Sequence, residues 1–127
     1  MSENKPYLSV IIPSYKEANR IGKNLLEIEN YLSKKNFTYE VLVVIDGSPD
    51  NTAEIARSYS DKVKNLWVIS NPENHGKGYV VRQGLLEAKG EYRLFLDADG
   101  STSITHLDSF LPEFEKGFDV VIGSRDI

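Results

Sequence analysis

Two aspartates one residue apart, Asp97 and Asp99, follow directly on a short apolar run from Tyr92 to Leu96. Two carboxylates crowded into one volume repel, and one of them then holds its proton. A divalent cation removes that conflict and still has positions open for phosphate oxygens. Two hard oxygen ligands suit Mg2+ or Mn2+ shared with a ligand's phosphates better than a cage made wholly of protein. A solvated turn whose aspartate caps a helix would use the same residue types. The other polar clusters of the chain tip the reading toward a metal site.

Those clusters each follow an apolar run. Asp46-Gly47-Ser48 offers a carboxylate for ribose hydroxyls or a base edge, or else a plain loop leading into a helix. After the first run, Pro13 fixes the exit, Tyr15 offers a stacking face, and Glu17 can accept from an amino or hydroxyl group. Glu17 equally suits the positive end of a following helix. Gly76-Lys77-Gly78 opens a helical stretch where amides and a cation could face an anion, or where the chain simply starts a flexible helix. It lacks the spacing of a P-loop. Arg125 could clamp a phosphate with both arms of its guanidinium. His75 and His106 lack a second nitrogen at ligand spacing, so surface or capping roles fit them better. No nucleophilic Ser/His/Asp constellation is present.

The elements that position these residues are readable from periodicity. Leu8 to Ile12 is a β-branched strand stopped by Pro13, and Val41 to Ile45, Leu66 to Ile69, Tyr92 to Leu96 and Val120 to Ile122 are further strands. Ile21, Leu25, Ile28 and Leu32 recur at helical spacing and predict a helix from about residue 17 to 35. Asp50 is placed to cap a helix carrying Ile55 and Ala56. Val80, Val81, Gly84, Leu85 and Ala88 mark another helix, closed near its end by Gly90. One more is expected around 106–116, shortened or kinked at Pro112. Apolar strands alternating with helices predict an α/β fold, a mostly parallel sheet covered on both faces. Ligands of such sheets bind beyond the carboxyl ends of the strands, where every polar cluster falls.

The 127 residues fit one domain, with 40% hydrophobic and 27% charged residues. The absence of cysteine excludes disulfides and thiolate metal sites. A net charge of −4 and scattered lysines argue against nucleic-acid binding. No signal peptide or membrane-spanning run is readable, which makes the cytoplasm the expected location.

Taken in order, Leu8 to Pro13 with Ser14-Tyr15-Lys16-Glu17, Val43-Val44-Ile45-Asp46-Gly47-Ser48 with Pro49-Asp50-Asn51-Thr52, Asn74-His75-Gly76-Lys77-Gly78, Asp97-Ala98-Asp99, and Val121-Ile122-Gly123-Ser124-Arg125 resemble a family 2 glycosyltransferase. The resemblance is strongest to the dolichyl- or polyprenyl-phosphate mannose and glucose synthases. It implies a Rossmann-like GT-A fold binding a UDP- or GDP-sugar. It also implies donor contacts from Pro13, Tyr15, Glu17 and Asp46, metal and diphosphate contacts from Asp97, Ala98 and Asp99, and Arg125 near the phosphates. Ile45 stands where relatives often carry a second aspartate, and Ser101 where some carry glutamine.

The implied acceptor is a lipid phosphate, which would set the longer protein at the cytoplasmic face of a membrane. Family members continue past the Gly-Ser-Arg strand, so the chain is expected to be the donor half, truncated. It should bind a nucleotide-sugar, transfer negligibly, and possess an exposed edge inviting self-association. Two other classes use the same kind of sheet. A nucleotidyltransferase would need a glycine-rich basic loop after the first strand, which is missing here. A non-catalytic nucleotide-binding module would bind without turnover.

Overall fold

The computed structural model describes residues 5–96 and 120–122. In chain order the elements are β1 (Leu8–Ser14), α1 (Ile21–Leu32), β2 (Tyr39–Asp46), α2 (Thr52–Arg57), β3 (Leu66–Asn71), α3 (Lys77–Glu87), β4 (Tyr92–Phe95) and β5 (Val120–Ile122). The strands form one sheet in the order β3-β2-β1-β4-β5, every neighbouring pair parallel. The helix expected around 106–116 lies outside the described residues.

Alternation along the strands sorts the core into two layers. Val10 and Ile12 of β1, Val41, Val43 and Ile45 of β2, and Leu94 of β4 face α1 and α2, where Ile21, Leu25, Ile28, Leu32 and Ala56 complete one cluster. Ile11, Leu42, Val44 and Phe95 face the other way and pack with Val80 of α3. The path of the chain explains this division. From β1 it moves outward to β2 and β3, then returns across to β4 on the far side of β1. Right-handed crossovers in opposite directions put their helices on opposite faces. The reversal leaves the carboxyl ends of β1 and β4 side by side at a topological switch point.

Both ends of α3 are fastened to β2 by acidic side chains of the same strand face. At the carboxyl end of β2, Asp46 holds the residues that open the helix, as detailed below. At the amino end, the buried Glu40 carboxylate accepts the Ser9 hydroxyl at 2.6 Å and the Lys89 amide at 2.7 Å, just past the end of the helix. The Ser9 oxygen accepts the Gly90 amide at 2.8 Å. A buried carboxylate is tolerated because such bonds replace its water.

Several boundaries differ from the sequence reading. β1 runs through Pro13 to Ser14, with Pro13 beside Val44. The Ile11 carbonyl accepts the Leu96 amide, so the imino side of Pro13 turns toward β4 beyond its last strand residue and costs the ladder nothing. β3 extends to Asn71, and β4 ends at Phe95. α1 is shorter than expected because Lys16 takes a left-handed φ of 56° and residues 17–20 form a turn that caps the helix through the Glu17 carbonyl. α2 is only six residues long, with Asn51 at the N-cap position rather than Asp50. Gly90 does not close α3, which ends at Ala88 in extended backbone. It is needed for close approach, since a Cβ there would lie 2.4 Å from the Ser9 oxygen.

Glu29 of α1 joins three segments: its Oε1 accepts the Tyr39 hydroxyl at 3.0 Å and the Lys64 amide at 3.1 Å. Burial, then the hydrogen bond and negative charge of Glu29, push the Tyr39 phenol up to about 12. A pKa raised by folding means stability that is complete below the unfolded value near 10 and lost as pH rises through about 12. Urea titrations from pH 8 to 12 should show Tyr39→Phe less stable than wild type at pH 8, with the gap closing above pH 10. A constant gap would remove the phenol from the pH dependence.

Candidate functional site

At the carboxyl ends of the strands two aspartates organise the loops. Asp46, the last residue of β2, is 5% exposed. Its Oδ1 accepts the His75 amide at 2.7 Å and its Oδ2 accepts the Gly76 amide at 3.0 Å. The Asp46 carbonyl accepts the Asn74 side-chain amide at 3.1 Å. A carboxylate taking two backbone amides is a strong, charge-assisted contact. It defines where α3 begins, with Gly76 in a conformation (φ 96°) that favours glycine. Asp46, expected to meet a ribose or base, thus spends an acceptor position on each oxygen inside the fold. Asn71 adds a second tie, bonding to the Ile45 carbonyl at 3.0 Å and reciprocally to Gln83 of α3.

The second hub is Asp50, which the sequence suggested only as a helix cap. Its carboxylate accepts the hydroxyls of Ser48 and Thr52, the Thr52 amide at 3.2 Å and the Ala18 amide at 3.4 Å. Partial desolvation pushes its carboxyl up, but the bonds from Ser48, Thr52 and Ala18 outweigh this and hold it below the usual aspartate range. Ser48 and Thr52 in turn accept the amides of Lys16 at 2.9 Å and Glu17 at 3.0 Å. The loop after β1 is therefore shaped by side chains of the loop after β2. Neither Ser48 nor Thr52 was singled out as an organiser of that loop. The available signal was the Ser-Pro-Asp-Asn-Thr composition, which favours side-chain-capped turns.

The remaining expected residues fall around these hubs. Pro13 is buried within β1. Tyr15 is 41% exposed at the strand exit, with the Lys16 amine 5.4 Å from its ring centre. Glu17 pairs with Arg20 at 2.8 Å. The Lys77 amine lies 5.5 Å from the centre of the Phe95 ring, bringing a cation to the end of β4. His75 stacks on Tyr79, ring centres 4.3 Å apart. Asp97, Ala98, Asp99, His106 and Arg125 lie outside the described residues. Among the described residues no three His, Cys, Asp or Glu side chains gather to hold a metal.

The chain reaches Asp97 directly from Leu96, whose amide is bound to the Ile11 carbonyl at 2.9 Å. β4 therefore ends beside β1 at the switch point, and Asp97 follows it in the sequence. The carboxylates of Asp97 and Asp99 are hard oxygen donors, a set whose chemistry fits Mg2+ or Mn2+.

Comparison with known proteins agrees with this fold. A mannosyltransferase from Pyrobaculum calidifontis, solved in complex with GDP-Man and Mn2+, superposes with a TM-score of 0.64 at 29% identity, over 76% of this chain and 28% of that one. S. aureus TarS 1-349 in complex with UDP-GlcNAc gives a TM-score of 0.64 at 32% identity, over 85% of this chain and 32% of that one. The fold is thus that of part of a GT-A glycosyltransferase. Residues 9–127 match the family model described as glycosyl transferase family 2, and the chain belongs to that family. Among curated relatives, a Drosophila melanogaster dolichyl-phosphate beta-glucosyltransferase is 42% identical over 93% of this chain, and its Homo sapiens counterpart 41% over 87%. The chain spans 40% and 35% of the lengths of these two relatives.

Gly47 gives the hubs a direct test. It has φ 58°, and a Cβ there would lie 2.3 Å from the Asn74 nitrogen and the Glu73 carbonyl carbon. Gly47→Ala should cost on the order of 1–3 kcal/mol of unfolding free energy, read by urea titration. Unchanged stability would mean that the loops after β2 and β3 do not pack as described.

Proposed function

We propose that the longer protein to which this chain corresponds transfers a sugar from a UDP- or GDP-sugar to a polyprenyl or dolichyl phosphate, at the cytoplasmic face of a membrane. The observation that carries this reading is that the Tyr15 loop leaves the end of β1 and the Lys77 cation lies at the end of β4, the strand that Asp97-Ala98-Asp99 follow in the sequence. The names of the curated relatives support the lipid acceptor, and the ligands of the structural neighbours support a nucleotide-sugar donor.

In this reading the exposed Tyr15 ring, beside Pro13 and Glu17, receives the nucleoside. Asp46 shapes the wall of the same pocket, with capacity left on its oxygens for a ribose or base contact. Lys77 and Arg125 attract the diphosphate. Asp97 and Asp99 would hold a Mg2+ or Mn2+ ion, which supplies positive charge where the leaving diphosphate gathers negative charge. An oxygen of the acceptor phosphate bonds to the anomeric carbon as the bond to the diphosphate oxygen breaks, and the electron pair leaves on the nucleoside diphosphate. A lipid phosphate is ionised at neutral pH, so no residue must remove a proton from it.

Asp97→Asn and Asp99→Asn should each weaken UDP or GDP binding in Mn2+ by at least about tenfold, or about 1.4 kcal/mol, and leave nucleoside binding unchanged. Isothermal calorimetry with nucleoside and diphosphate in parallel separates the two. Wild-type diphosphate affinity in both variants would remove the metal from these aspartates.

A further inference from the structure

β3 is an outer strand. β2 occupies one of its edges, and no described strand pairs with the other. Its residues, Leu66-Trp67-Val68-Ile69-Ser70-Asn71, include no charge, proline or glycine, the usual devices that blunt an edge against pairing. The Asn65 carbonyl accepts the Val41 amide. By strand alternation the odd-numbered residues of β3 bond to β2, and Leu66, Val68 and Ser70 turn their amides and carbonyls outward. Trp67 stands beside Leu42 and Ile69 beside Val44, on the sheet face that bears α3. The helix does not reach across them: Trp67 is 53% exposed with the Lys89 amine 5.6 Å from its ring centre, and a cavity of about 150 Å³ lies among Glu40, Leu42, Trp67, Ile69, Glu87 and Lys89.

We propose that this edge is the interface for a second copy of the chain, the two β3 strands pairing antiparallel about a two-fold axis at Val68. The occupant follows from self-complementarity, which a two-fold interface requires. In that register Val68 faces its own symmetry mate, and Leu66 and Ser70 exchange backbone bonds with the opposite copy. Trp67 faces Ile69 of the second copy, twice over, at the closer type of antiparallel pair. Each Trp67–Ile69 pair covers the apolar surface that α3 leaves open. The two sheets join into one continuous sheet, and the carboxyl-end loops of each copy remain open.

Trp67 is the only tryptophan, so its emission reports this interface. Sedimentation velocity of the 127-residue chain from micromolar to submillimolar concentration should show a monomer–dimer equilibrium, with Trp67 emission shifting to the blue over the same range. Val68→Pro removes an amide that β2 does not use, and proline is tolerated at such an edge. It should weaken dimerisation by at least about tenfold while circular dichroism stays that of the wild type. Trp67→Lys should do the same. A chain that stays monomeric with constant emission would overturn the proposal. So would a dimer that both folded variants retain.

Discussion

The arrangement of this molecule depends on one carboxylate. Asp46 ends the inner strand β2 and holds the amides of His75 and Gly76, which lead into α3. Removing it would leave two half-buried amide donors without their partner, and a fully buried unsatisfied group costs about 1–3 kcal/mol. Six residues earlier on the same face of β2, Glu40 holds the amide just past the other end of α3. Six strand residues span roughly 20 Å, and the eleven-residue helix spans about 16 Å. The helix is therefore strapped along β2 at both ends, and its first residue, Lys77, is set at the end of β4.

This strapping connects the fold to its chemistry. The hydrophobic clusters hold the layers together but are indifferent to small shifts of a helix along its axis. Directional bonds from acidic side chains remove that freedom. Asp50 does the equivalent for the loop after β1, acting on Lys16 and Glu17 through the hydroxyls of Ser48 and Thr52. The loops after β1, β2 and β3 are thus tied to one another by side chains of the fold itself. Preorganisation of this kind spares binding the cost of ordering the loops.

Much of this was legible in the residues. Continuous apolar runs gave away all five strands, and the spacing from Ile21 to Leu32 showed the buried stripe of α1. Element ends were harder, because tertiary bonds decide them. Pro13 looked like a terminator, yet its imino side turns toward the end of the β4 ladder. Asp50 has the composition of a local cap, and its longer reach to Ala18 is invisible without the β1–β2 pairing. Asp46 was recognisable as important because it ends an apolar strand before a glycine. Its partners at positions 75 and 76 lie about thirty residues away, and no local pattern in the sequence announces them. The glycines at 47 and 76, both with positive φ, were the nearest hint that two loops meet there.

The role of Asp46 is tested most directly by amide hydrogen exchange, followed residue by residue with NMR in wild type and Asp46→Asn. An asparagine keeps the shape but has only one acceptor oxygen and no charge. The account predicts that exchange at His75 and Gly76 accelerates by at least about tenfold, with amides in the middle of α1 unchanged. Equal protection of His75 and Gly76 in the two proteins would contradict it.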